Sequence, residues 1–264
     1  MKRISKYFFA FILLSIFWII IVIYGTLNGS WHKPFTKSND PELFTIAVKQ
    51  KIEKEFVGNF SMAIMKAGNV EKELFYSKNK KVDKNTIFQV SSLSKFVSAA
   101  GVMKLVEMGK INLDTPVSHY LKRWLLPSSD FDNEQVTVRR LLSHTAGLTD
   151  ELGYNGFKNR DSVQTIEASL TKAKDADAGV SGEVRVGFEP NSNWKYSGGG
   201  FTLLQLLVEE TSGLSFNEFM KVNLFKPLNM TSSTYILDDS LSNRLCEFYN
   251  YNNTTAPHFY YSSL

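Results

Sequence analysis

The chain has 264 residues, 43% hydrophobic and 21% charged, a globular composition rather than a disordered or fibrous one. Its net charge of +4 comes from lysines scattered along the sequence, without the dense basic patch of a nucleic-acid binder, so no nucleic-acid partner is expected. Cys246 is the only cysteine, and His32, His119, His144 and His258 stand far apart with no H-E-x-x-H pair, which excludes an internal disulfide and points to no metal and no cofactor.

Lys2, Arg3 and Lys6 form a basic tail over residues 1–6, ahead of an uncharged apolar run at 7–24. As a helix that run is about 27 Å long, close to the bilayer hydrocarbon thickness of about 30 Å. The basic flank places the N-terminus in the cytoplasm and exports the rest of the chain. A cleaved signal peptide is the competing reading, but its apolar region is usually shorter and ends in small residues at the cut. Tyr24-Gly25-Thr26-Leu27-Asn28 offers no such site. The predicted arrangement is a single-pass signal-anchor in the cell membrane, with a polar linker at 25–41 and a domain at 42–264 on the periplasmic side.

A helix is predicted at 41–56, with Pro41 in its first turn and Leu43, Phe44, Ala47, Ile52 and Phe56 at roughly helical spacing. Strand-like runs at 60–65 and 73–77 flank Ala67-Gly68-Asn69, a hairpin signal. A hairpin ahead of a long helix suggests an antiparallel sheet packed against helices.

Phe88-Gln89-Val90-Ser91-Ser92-Leu93-Ser94-Lys95 then leads into a helix-period segment at 96–108. Ser92 would stand at the helix N-terminus, where unpaired N–H groups and the helix dipole favour negative charge, with Lys95 one turn on. A serine hydroxyl becomes a nucleophile when a neighbouring amine of lowered pKa takes its proton. S-x-x-K is also a common chance match, and taken alone it is better explained by helix capping by the serines beside a solvated lysine. Phe96, Ala99, Ala100, Met103 and Val106 make an apolar stripe assigned to core packing, and Gly109 supplies a left-handed stop.

Thr115 and Pro116 open a short helix, and Thr137 caps another at 138–143. His144 comes directly after that helix, and is read as a structural hydrogen-bonder rather than a base. One further helix is expected at 161–173 and a strongly apolar one at 201–211, introduced by Lys195-Tyr196-Ser197-Gly198-Gly199-Gly200 and closed by Gly213. Ser215 and Glu218 form a capping box for the next, to about Asn223.

Several landmarks occur in one order. Phe88-x-x-x-Ser92-x-x-Lys95 is followed by Leu105-Val106-Glu107-x-Gly109-Lys110-x-x-Leu113-Asp114-x-Pro116-Val117, then by Leu141-Leu142-Ser143-His144-Thr145-Ala146-Gly147-Leu148. Glu189-Pro190, Trp194 and Tyr196-Ser197 come next, and Pro227-Leu228-Asn229-Met230-Thr231 closes the series. Over roughly residues 43 to 250 this resembles the serine beta-lactamase-related family, comprising class C beta-lactamases, DD-peptidases and related esterases of the penicillin-recognising fold. The resemblance implies an α+β, beta-lactamase/transpeptidase-like fold in which an antiparallel sheet packs against helices with a helical subdomain. It also implies an extracytoplasmic serine hydrolase that cleaves an amide or ester, such as a beta-lactam, a D-Ala peptide or an ester, with a small-molecule or peptidoglycan-peptide substrate as partner. Ser92 would be the acylated nucleophile, Lys95 its proton acceptor and Tyr196 a proton shuttle working with that lysine.

Two departures stand against the pattern. The family's asparagine, two residues after the tyrosine, is Gly198, which cannot donate a side-chain amide to a substrate carbonyl. No K-T-G or H-x-G triplet follows Met230, so the C-terminal strands are expected to be missing. One oxyanion-hole donor typically contributes about 10²–10³ in turnover. The alternative expectation is therefore a non-catalytic remnant or binding protein of the same fold.

Overall fold

The computed structural model describes residues 2–30, 34–150 and 154–262; His32 and Lys33 of the expected linker, and Leu264, lie outside the described residues. The chain divides into two compact units, Met1–Lys78 and Asn79–Leu264.

In the first unit, α1 (Lys2–Leu27) presents exposed apolar side chains from Tyr7 to Leu27, a stretch long and apolar enough to cross a membrane. Helix α2 (Pro41–Glu55) opens on Asp40, whose carboxylate accepts the Glu42 N–H at 2.8 Å, with Pro41 where its missing N–H does no harm. Strands β1 (Asn59–Lys66) and β2 (Asn69–Ser77) pair antiparallel. Ala67 and Gly68, at φ 49° and 80°, make the tight turn that matches the twist of the strands. β2 starts earlier than expected, because Asn69 and Val70 pair with Lys66 and Met65 across an irregularity at Ile64/Met65. Val48 and Ile52 of α2 pack on Leu74 of β2, with Phe44, Phe60, Met62 and Tyr76 around them.

In the second unit a 3-10 turn at Ser91–Leu93 leads directly into α3 (Ser94–Glu107). The buried face of α3 is Ser98, Gly101, Val102 and Leu105; of the predicted stripe Ala99 and Val106 pack against the core, whereas Phe96, at 83%, and Met103, at 44%, are exposed. Close fit outweighs side-chain hydrophobicity here. Even a Cβ at position 101 would lie 2.3 Å from Met220 Sδ, so the small residues mark the side that packs. Gly109, at φ 67°, ends the segment. The 3-10 turn Val117–His119 is capped by Pro116 without any side-chain bond, rather than by Thr115.

Thr137 caps α4 (Val138–Leu142), its hydroxyl accepting the Arg140 N–H at 3.3 Å. The helix expected at 161–173 is instead a 3-10 turn, Arg160–Ser162, and a short α5 (Ile166–Thr171). Val163 is extended between them, and the Thr165 hydroxyl accepts the Ala168 N–H, starting the helix afresh.

Helix α6 (Gly198–Ser212) begins three residues before the predicted start, on a Ser197 cap, and ends at Gly213 with φ 73°. Phe201, Leu203, Leu204, Leu206, Leu207 and Val208 are all buried, so α6 is the axis of the core, while Glu209 and Glu210 near its end pair with Arg123. Helices α3, α4, α5 and α7 (Phe216–Met220) pack around it. Ser215 caps α7, which runs into a π-helical turn at Lys221–Phe225. After α8 (Asp239–Ser242) comes a two-residue antiparallel ribbon, β3 (Phe248–Tyr249) with β4 (Thr255–Ala256). The described residues thus combine helices with two small antiparallel sheets, an α+β fold.

Core and rim respond differently to truncation. Leu206→Ala should destabilise by about 2–5 kcal/mol, whereas Phe96→Ala should stay within about 0.5 kcal/mol; denaturant midpoints of the purified variants check both.

Candidate active site

The segment ahead of α3 is shaped by one strained residue. Ser91 has φ 46°, a left-handed conformation that a non-glycine residue adopts at a cost of about 1–3 kcal/mol. Ser92 comes next within the 3-10 turn and is exposed. The Tyr196 hydroxyl donates to Ser92 Oγ at 3.0 Å, joining positions that are 104 residues apart. Lys95 Nζ lies 5.2 Å from the centroid of the Tyr196 ring and 5.8 Å from that of Phe201, within cation–π range of both. The fold therefore brings Ser92, Lys95 and Tyr196 together at the junction of α3 and α6. Among the described residues the Lys95 ammonium forms no hydrogen bond or ion pair.

His144 supports the tyrosine from behind. Its ring lies 4.6 Å from that of Tyr196 at 33°, 5.3 Å from Phe201, and 5.9 Å from Trp194 in an edge-on contact. Its Nδ1 accepts the Ser197 N–H at 3.1 Å, the structural hydrogen bond read from its position after α4. Burial, and then the charge of Lys95, push its pKa below the usual 6.5, which preserves the neutral imidazole this bond requires.

Sequence reasoning missed the residue beneath this arrangement. Asp150 is only 2% exposed. One carboxylate oxygen accepts the Ser197 hydroxyl, and the other accepts the Gly199 N–H at 2.7 Å. Ser197 Oγ in turn accepts the Gly200 N–H at 2.8 Å. Burial pushes the Asp150 pKa up, against the opposing pull of these hydrogen bonds. Gly199 has to be glycine, because a Cβ there would lie 2.3 Å from Val184 Cγ2 and 3.1 Å from Asp150 Cγ. The Tyr154 hydroxyl is 2.9 Å from the same position, and burial raises its phenol pKa, with the charges of Asp150 and Asp175 adding to the rise. A serine before a helical run is a readable cap; nothing in the sequence pairs it with an aspartate 47 positions earlier.

Gly198 is buried at the first position of α6 and offers only backbone groups. A cavity of about 550 Å³ adjoins the segment ahead of α3 through Val90, Ser91 and Ser94, but Ser92, Lys95 and Tyr196 are not among its walls. Among the described residues no group of three or more His, Cys, Asp or Glu side chains is placed to hold a metal ion.

A helix-entry serine followed one turn later by a lysine, both beside a tyrosine that precedes the cap of a buried second helix, fits the serine-hydrolase fold of the beta-lactamase and transpeptidase type. The Beta-lactamase family profile matches residues 48–258, and the chain belongs to that family. It is 35% identical over 167 residues to penicillin-binding protein 4* of Bacillus subtilis (strain 168), which is 63% of this chain and 34% of that relative. Its fold matches the octameric penicillin-binding protein homologue from Pyrococcus abyssi at a TM-score of 0.62 and 26% identity, covering 80% of this chain and 48% of that one. The beta-lactamase/D-alanine carboxypeptidase from Pseudomonas syringae shares the fold at a TM-score of 0.59 and 18% identity, with 80% and 55% covered. The chain spans 34% to 55% of the lengths of these three relatives.

The His144 bond has a pH signature. Between its lowered folded-state pKa and 6.5 the unfolded chain holds a proton that the folded protein does not. The stability this contributes is complete above 6.5 and is lost as pH falls toward the folded-state value. Thermal unfolding from neutral pH down to about pH 5 should show that loss in the wild type and less of it in His144→Gln. Comparing the two separates it from His258, whose pKa burial also lowers.

Proposed function

We propose that this chain is an extracytoplasmic serine hydrolase, held to the membrane by α1, that cleaves an amide or ester through an acyl-enzyme on Ser92. The observation that carries the reading is the Tyr196–Ser92 hydrogen bond at 3.0 Å, with the Lys95 ammonium against the same phenol ring. In the resting arrangement the phenol donates. For attack one of the two groups must be the free base: the Ser92 proton passes either to Tyr196 as the phenolate beside the Lys95 ammonium, or to Lys95 as the neutral amine, as Oγ bonds to the substrate carbonyl carbon. The carbonyl π electrons move to oxygen, then return as the C–N or C–O bond breaks, and the leaving amine or alkoxide takes the proton. Water repeats the sequence to release the acid.

The relatives named as penicillin-binding proteins and as a beta-lactamase/D-alanine carboxypeptidase support beta-lactams or D-Ala peptides as the substrate class. The exposed apolar surface of Tyr7–Leu27 supports the anchor. If it is one, the full chain stays with membranes through an alkaline wash while a form starting at Pro34 is released.

A second reading, a binding protein of the same fold without turnover, is favoured by the lack of a hydrogen-bonding partner for Lys95 among the described residues and by glycine at 198. Labelling tests both. A fluorophosphonate or fluorescent penicillin should label Ser92, Ser92→Ala should abolish the label, and Lys95→Ala or Tyr196→Phe should slow it by about 10²–10⁴. Labelling without hydrolysis of a chromogenic lactam or ester selects the second reading, and a folded protein that never labels rules out the first.

A further inference from the structure

We propose that Asp150, acting through Ser197, is a positioning residue that holds the Tyr196 phenol on Ser92; this rests on the acyl-enzyme reading of the site. Tyr196 sits immediately before the cap of α6, and that cap is tied down at three atoms. The Ser197 N–H goes to His144 Nδ1, the Ser197 hydroxyl to Asp150, and the Gly199 N–H to the other oxygen of Asp150. A serine cap alone would have served the helix, since Ser197 Oγ already takes the Gly200 N–H. The aspartate does something further. Accepting at both oxygens, it fixes which way the Ser197 hydroxyl proton points, and so leaves the oxygen lone pair for Gly200.

Burying a carboxylate is costly, and among the described residues no cation forms an ion pair with Asp150. Two hydrogen bonds and the N-terminus of α6 are what compensate it. Such an arrangement adds definition at one point of the backbone, and the residue at that point carries the phenol. Displacement of a reacting group by about 1 Å can lower a rate about 10²-fold, so small losses of definition here register at Ser92. The groups around the phenol that would report a shift are Ser92, Lys95, His144 and Phe201.

The test uses the full chain with Asp150→Asn, Ser197→Ala and the double variant. Three quantities are read on folded protein: the fluorophosphonate acylation rate at Ser92, the melting temperature, and the titration of the Tyr196 phenol by ultraviolet difference, with Tyr196→Phe as the subtraction. Asp150→Asn should slow acylation by at least about tenfold and move the Tyr196 titration. Ser197→Ala should do the same, and the double variant should fall short of the product of the two single effects, because both remove the shared Ser197–Asp150 bond. A lower melting temperature with unchanged acylation and unchanged titration would make Asp150 structural only and overturn the proposal. If Asp150→Asn does not fold, Ser197→Ala, which keeps the His144 bond, decides by the same readings. If folded wild type does not acylate at all, the hydrolase reading fails, and the Tyr196 titration alone then supports or overturns the positioning role.

Discussion

The backbone N–H groups that open α6 have to find acceptors inside the protein, and the site is arranged around how they do so. Ser197, Gly198, Gly199 and Gly200 are all buried, so the surrounding chain has to supply what solvent would supply at an exposed helix end. Ser197 Oγ serves Gly200, and the Asp150 carboxylate serves Gly199. The close approach of that carboxylate requires a residue without a side chain at 199. The glycine run therefore tightens a helix start rather than loosening a loop. Tyr196, the residue just before it, inherits a fixed position.

From there the chemistry depends on one short meeting of two elements. The strained Ser91 and the 3-10 turn after it present Ser92 at the entry of α3, while α6 presents Tyr196 from the core axis. Gly101 lets α3 come close to Met220, beside the packing of α6 and α7. Deleting the contact between α3 and α6 would separate the serine from the phenol even with every reactive side chain still present.

Much of this is legible in the sequence, and the parts that are not have physical reasons. Local signals transfer well: the Thr137 cap, the left-handed glycines 109 and 213, and the hairpin at Ala67-Gly68 each depend on a few neighbouring residues. Ser92, Lys95 and Tyr196 are recognisable because their order and spacing resemble a known family. The buried face of α3 is hidden from a reading by apolar character, because Ser98 and Gly101 are buried for being small. α5 is shorter than its composition suggests, because an extended Val163 and a capping Thr165 interrupt a stretch that otherwise suits a helix. Asp150 gives no signal. Its role exists only once a chain reversal brings it to Ser197, and no periodicity encodes that meeting.

The charges of the site are coupled in a way the separate contacts do not reveal. Lys95 stands over the Tyr196 ring and also contributes to the lowered proton affinity of His144. A neutral His144 is what accepts the Ser197 N–H, and Ser197 is what Asp150 orients. The ammonium therefore acts on the tyrosine directly, through its ring, and only adds to the burial that already favours a neutral His144. Replacing Lys95 by a neutral residue removes the direct influence and leaves the Ser197 anchor in place. Variants of Asp150 and Ser197 do the reverse, keeping the ammonium and loosening the backbone that carries the phenol.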